Sequence, residues 1–199
     1  MKKILFIFLT ACFFFSCEKE TIVIPQQHAG RTVLAFFWAD NSLNSNLRNN
    51  IRTMMQGLQA MKDSAALLVY WDGEASDISW PEPCIVEYVT NGQGGINSMS
   101  KEAVNAMIAD QDMSVHDLIS IGNIRKKYSP QTSTEKTVMQ TVIGDMMSAY
   151  PSESYGIIFG SHGSGWLPTI TGTRSIGQDG GRYSSDTALI PELAEVLRT

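Results

Sequence analysis

The chain has 199 residues, 43% of them hydrophobic and 18% charged, which bounds it to one globular domain, or the larger share of one, and excludes a disordered chain. Its formal net charge is -5 and its pI is near 5.2. Past the first few residues it carries no Lys/Arg cluster interleaved with aromatics, so nucleic acid is set aside as a partner.

The first residues read as an address. Met1-Lys2-Lys3 is a basic start, and Ile4 to Phe15 is an apolar run shorter than the about 20 residues a membrane-spanning helix needs. Leu9-Thr10-Ala11-Cys12 fits an acylation site by residue type, but cleavage there would leave Phe13-Phe14-Phe15 at the mature terminus. Cys17 follows the small Ser16 and precedes Glu18-Lys19-Glu20, where the apolar character stops. We therefore expect residues 1–17 to be a lipoprotein signal peptide ending at a lipidated Cys17, with Cys12 as the alternative and an ordinary cleaved signal peptide as the plain reading. The charged residues after Cys17 resemble the surface-export signal of some Gram-negative lipoproteins. That implies a protein of the bacterial cell envelope, lipid-anchored to the outer membrane and facing the periplasm or the cell surface. Residues 18–30, polar and broken by Pro25 and Gly30, read as a tether. With Cys12 removed and Cys17 acylated no intrachain disulfide is possible, and Cys84, in an apolar stretch, reads as a small buried hydrophobe.

Residues 31–199 read as an α/β unit. Thr32 to Trp38 (TVLAFFW) is a continuous β-branched and aromatic run, the pattern of a strand buried on both faces. Asp40-Asn41-Ser42 suits a helix cap, and Leu43, Leu47, Ile51, Met54, Met55, Leu58 and Met61 then mark one face of a long helix. Ala65 to Trp71 is a second buried strand, so the chain opens strand–helix–strand, which implies a parallel sheet. Cys84 to Val89 reads as a short edge strand because of Pro81 and Pro83. Helices are expected near 101–109, 115–126 and 134–149, the last with a stripe of Val138, Val142 and Met146. Tyr155 to Gly160 is a third buried strand. Residues 161–186 read as a long glycine-rich loop, and Leu189 to Arg198 as a helix with Leu189, Leu193 and Leu197 on one side.

The chemistry concentrates where the third strand runs into Ser161-His162-Gly163-Ser164-Gly165-Trp166. In open α/β sheets the ligand crevice lies beyond the carboxyl ends of the strands. Histidine is the side chain whose reference pKa, about 6.5 in a free peptide, suits a group that acts as base and then acid near neutrality. The neighbouring glycines leave backbone N–H groups open to a developing oxyanion. The bland alternative is a turn histidine that only closes the strand. A serine hydrolase lacks its nucleophile elbow, since neither Ser161 nor Ser164 has a glycine two residues before it. His28, His116 and His162 are scattered and no HExxH occurs, so neither a metal site nor a cofactor is expected.

His162-Gly163-Ser164-Gly165-Trp166, with Ala39-Asp40-Asn41-Ser42-Leu43 after the first long strand, resembles the clostripain family of cysteine peptidases, in the caspase-like clan, over residues 31–199. The resemblance implies an α/β, caspase-like three-layer sandwich with a mostly parallel sheet, truncated before the cysteine-bearing strand. It implies that His162 is the general acid/base of a Cys–His dyad and that the Gly163 N–H binds the oxyanion, the nucleophile's own N–H completing the hole. Asp40 and Asn41 match the family pattern and read equally well as a cap. The substrate would be a protein or peptide cut after Arg or Lys. Family members are often matured by cleavage shortly after the histidine, which makes Arg174 the preferred processing site and Arg182 the second, against an ordinary loop that happens to hold arginines.

One part of the pattern has no counterpart. The family's nucleophile follows the next strand, within Asp-x-Cys, and no cysteine occurs here after Cys84. The acidic specificity pocket is likewise absent. The chain is then part of a longer protein, is completed by a separate polypeptide, or is an inactive copy. We favour the first, with the C-terminal cysteine-bearing segment of the same protein as partner and these 199 residues inactive by themselves. The rival is a catalytically inactive surface-lipoprotein binding module on a peptidase-like scaffold. For the anchor, incorporation of a fatty-acid analogue is expected to disappear in Cys17→Ala and persist in Cys12→Ala; the reverse pattern moves the anchor to Cys12, and a parent protein that takes no label removes the anchor reading.

Overall fold

The structure, a computed structural model, describes residues 30–61, 65–73, 82–162, 175–179 and 186–198. The expected signal peptide and nearly all of the tether lie outside them. Strands β1 (Arg31–Ala39), β2 (Ala65–Gly73), β3 (Cys84–Val89), β4 (Asn123–Lys127) and β5 (Tyr155–Gly160) form one sheet in the order β4-β3-β2-β1-β5. β1 pairs parallel with both β2 and β5, while β2–β3 and β3–β4 are antiparallel. Within this sheet only β3 therefore runs against the common direction, which gives the mostly parallel sheet expected.

β1 shows why the sheet sits between two layers. Leu34, Phe36 and Trp38 enter one core with Met139, Val142 and Met146 of α4 (Lys136–Ala149) and Val196 of α5 (Ile190–Val196). Ala35, Phe37 and Ala39 enter the other, with α1 (Asn44–Ala60), α2 (Lys101–Ala109) and α3 (Val115–Ile121). Each large β1 side chain so buried contributes about 1.5–3 kcal/mol relative to exposure. The result is a three-layer α/β/α sandwich. Ser100 caps α2 by accepting from the Ala103 N–H, and Ser114 with Asp117 forms a capping box on α3. Hydrogen bonds from Ser114 hold the Asp117 carboxyl below its ordinary pKa.

Several local expectations are corrected. β3 is internal, between β2 and β4, and all six of its residues are buried. Pro83 precedes its first residue, so the missing N–H falls outside the β3 ladder, and the Pro83 carbonyl accepts from the Tyr128 N–H at 2.8 Å. The helix expected over 115–126 stops at Ile121, and Asn123–Lys127 is the outer strand β4, exposed at all five positions. Its Arg125, Lys126 and Lys127 put charge on a sheet edge, a usual guard against pairing with other chains. β5 is half-buried rather than buried on both faces. Tyr155, Ile157 and Phe159 pack toward α4, while Ile158 on the opposite face is 42% exposed.

α4 buries Met139, Val142, Ile143 and Met146, with Val138 only partly covered. In α5 the buried side is Val196 with Leu193, and Leu197 faces solvent, so the stripe drawn from leucines alone is displaced. The segment expected as a long loop contains a hairpin, β6 (Ser175–Asp179) antiparallel to β7 (Asp186–Leu189). Among the described residues no helix is long and apolar enough to cross a membrane.

Candidate active site

The parallel ladder of β1 and β5 carries both carboxyl ends to the same rim, with Phe37 opposite Gly160. Gly160 allows a close approach there. A Cβ at that position would lie 2.6 Å from Phe37 Cδ1 and 2.8 Å from Leu47 Cδ2, so any side chain would push β5 away from β1 and α1. Ser161 and His162, the next two residues, are half-buried against the turn that joins β1 to α1.

Asn41 ties the two chain segments together. Its Nδ2 donates to the Trp38 carbonyl at 2.6 Å and to Ser161 Oγ at 3.2 Å, and its Oδ1 accepts from the Leu43 N–H at 2.9 Å. Asn41 is buried, so these bonds replace its lost hydration. Asn44 Nδ2 adds a bond to the Ala39 carbonyl at 3.2 Å. The cap reading of Asp40-Asn41-Ser42 is thereby corrected: the N-cap of α1 is Leu43, without a side-chain cap bond. The polar residues of this turn serve the strand ends instead.

His162 is held from two directions. Ser42 Oγ lies 2.9 Å from His162 Nε2, and the Gly177 N–H of β6 donates to the His162 carbonyl at 2.9 Å. Gly177, at φ +85°, lies on Trp38; a Cβ there would stand 3.0 Å from the indole Cδ2 and Cε3. The indole stacks on Phe159 with centroids 5.6 Å apart. At the end of β2, Ser133 donates to the buried Asp72 carboxylate and bonds Tyr70 Oη at 2.6 Å, which fixes the chain before α4 over the same rim.

His162 thus emerges at the rim, as expected from the sequence. Gly163, Arg174, Arg182, Cys17 and Cys12 lie outside the described residues. The sequence analysis read Ser42 only as part of the turn after the first strand, because its contact with His162 spans 120 residues and leaves no periodic mark. Cys84 is fully buried and begins β3, opposite Trp71 of β2. β3 is three strand positions from β5, about 14 Å at the usual spacing, so its sulfur cannot meet His162. Among the described residues no group of His, Cys, Asp and Glu could hold a metal ion.

The sequence model of the clostripain family, peptidase C11, matches residues 35–199. The chain belongs to the clostripain family. Solved structures agree. A B. fragilis cysteine protease aligns with a TM-score of 0.50 and 26% identity, over 71% of this chain and 95% of that one. A secreted C11 cysteine protease from Bacteroides thetaiotaomicron, in complex with an irreversible peptide inhibitor, aligns with a TM-score of 0.55 and 24% identity, over 85% of this chain and 39% of that one. A clostripain from Bacteroides thetaiotaomicron with a bound peptide inhibitor aligns with a TM-score of 0.50 and 18% identity, over 72% of this chain and 99% of that one. The chain thus spans nearly all of the first and third of these chains and about two fifths of the second. No curated protein matches. The α/β sandwich is therefore the caspase-like fold of C11 peptidases.

The Asn41 bridge is testable. Asn41→Ala leaves the buried Trp38 carbonyl without this donor, and a loss of about 1–3 kcal/mol in urea unfolding is expected. A change within about 0.5 kcal/mol, the range of ordinary surface substitutions, would show that the bridge is incidental.

Proposed function

We propose that the protein is a cysteine endopeptidase of clostripain type in which His162 is the general acid/base and the nucleophilic cysteine lies outside this chain. The observation that carries this reading is an imidazole at the carboxyl rim of a parallel β1–β5 pair, in a chain of the clostripain family. His162 takes the thiol proton, and the thiolate attacks the scissile carbonyl. The Gly163 N–H and that of the nucleophile hold the oxyanion, the imidazolium protonates the leaving amine, and water then hydrolyses the thioester. The Arg or Lys preference and maturation after Arg174 or Arg182 follow from the family resemblance. In sequence, Arg174 directly precedes β6 and Arg182 falls between β6 and β7.

The sheet favours an external sulfur. No cysteine follows Cys84 in the sequence, and Cys84 is walled into the far side of the sheet. Among the described residues β5 has no strand on its outer side. A parallel strand added there would bring its carboxyl end within one spacing, about 4.8 Å, of the end of β5. On the α1 face of the sheet, Ile158 of β5 borders an open apolar groove of about 270 Å³ lined mainly by β1, α1 and β2, through Val33, Met54, Leu58 and Leu67. On this reading the mature protein is anchored through Cys17 to the outer membrane, and the C-terminal cysteine-bearing segment of the same protein completes the site.

A thiol-reactive probe directed by Arg or Lys is expected to label the complete protein. His162→Ala is expected to lower turnover by about 100- to 10,000-fold with an unchanged circular dichroism spectrum, the usual contribution of a positioned acid/base. Mass spectrometry of the same preparation is expected to find the chain cut after Arg174 or, second, Arg182; intact bonds at both positions remove the processing reading. A complete protein that takes no label would favour a binding module on an inactive scaffold.

A further inference from the structure

Ser42 stands where a surface hydroxyl has no packing role, yet its oxygen meets one particular ring nitrogen of His162. A neutral imidazole carries one N–H, and the partner of one nitrogen decides what the other can do. We propose that Ser42 is the positioning residue of His162: its hydroxyl accepts from Nε2–H and so makes Nδ1 the nitrogen that takes and returns the catalytic proton. This rests on the reading of His162 as the acid/base.

Three observations support the assignment. First, Ser42 is fixed on both sides. Asn41 Oδ1 accepts from the Leu43 N–H, which closes a turn around Ser42, and the Asn44 N–H donates to the Asn41 carbonyl at 3.2 Å as α1 begins. The backbone that carries its hydroxyl is therefore fixed by the β1–α1 turn.

Second, the His162 backbone is already held, by Gly177 at its carbonyl and by Asn41 at the preceding Ser161 hydroxyl. The freedom left to the residue is rotation of the ring, and the Ser42 contact is the bond that limits it. Third, only one direction of that bond serves the chemistry. A hydroxyl can donate or accept. If Ser42 donated to Nε2, the proton of the neutral ring would sit on Nδ1, which then could not take another. With Ser42 accepting, Nδ1 keeps its lone pair, and the same bond survives when both nitrogens are protonated.

The proton balance is simple. The thiol S–H bond breaks with its electron pair left on sulfur, and an Nδ1–H bond forms. When the tetrahedral intermediate collapses, the C–N bond breaks and the Nδ1 proton goes to the amine nitrogen. Ser42 neither gains nor loses a proton.

The test uses the complete protein, the cysteine-bearing segment included. Ser42→Ala is expected to lower kcat by about 10- to 100-fold, the scale known for losing the hydrogen-bond partner that orients a metal-bound histidine, with KM within about twofold. Ser42→Thr, which keeps the hydroxyl, is expected to recover most of kcat. Two-bond ¹H–¹⁵N spectra of histidine-labelled protein, with the His162 signal assigned by its loss in His162→Gln, are expected to show the Nε2–H tautomer. In Ser42→Ala that signal is expected to move toward a tautomer mixture. A Ser42→Ala variant with parental kcat and tautomer, a Ser42→Thr variant as slow as Ser42→Ala, or an Nδ1–H tautomer in the parent overturns the proposal. Loss of activity in His162→Ala would then leave the acid/base reading standing, whereas an active His162→Ala overturns both.

Discussion

The parallel ladder between β1 and β5 is the constraint on which the site depends. It fixes Ser161 and His162 above the turn that ends β1, although 120 residues separate them from Asn41 and Ser42. Nothing local in either segment would keep a histidine ring beside a serine hydroxyl. Once Gly160 lets β5 lie against Phe37 and Leu47, Asn41 bonds both strand ends, and the imidazole has one place to go. The apolar bulk of β1 is thus not separate from the chemistry. Phe36, Phe37 and Trp38 set the plane from which the polar turn projects, and Trp38 also carries the Gly177 backbone that holds the His162 carbonyl.

That last contact links the site to the hairpin. Among the described contacts, β6 meets the site through Gly177, whose N–H donates to the His162 carbonyl and whose backbone rests on the Trp38 indole where a side chain would be crowded. The histidine therefore has a partner for its ring on the β1–α1 side and one for its backbone on the β6 side. On the proposed reading, with processing positions directly before β6 and between β6 and β7, events in that part of the chain act on a segment that contacts the histidine backbone directly.

The sequence made the central elements legible because their signals are physical and strong. The β-branched and aromatic run TVLAFFW favours a strand covered on both faces, and the Leu47–Ile51–Met55–Leu58 spacing favours a helix face. β4 was hidden because Asn123-Ile-Arg-Lys-Lys127 has no apolar alternation to distinguish an edge strand from the end of a helix. β6 and β7 were hidden because short, polar strands look like loop until their pairing is known. The prolines misplaced β3 at an edge, since a proline just before a strand takes nothing from its ladder. His162 could be found because an apolar strand running into a glycine-flanked histidine is a local pattern. The Ser42 contact could not, because it exists only once β1 and β5 are side by side.

The family match spans residues 35–199, and the proposed chemistry turns on the distance between His162 and a cysteine sulfur. The most direct measurement is a crystal structure of the complete protein after reaction with an irreversible Arg- or Lys-directed peptide probe. The account predicts a cysteine sulfur bonded to the probe, carried by a strand parallel to β5 on its outer side, with His162 Nδ1 within hydrogen-bonding reach of the reacting atoms, about 3 Å. A probe bonded elsewhere, or a sulfur on another edge of the sheet with the imidazole turned away from it, would contradict it.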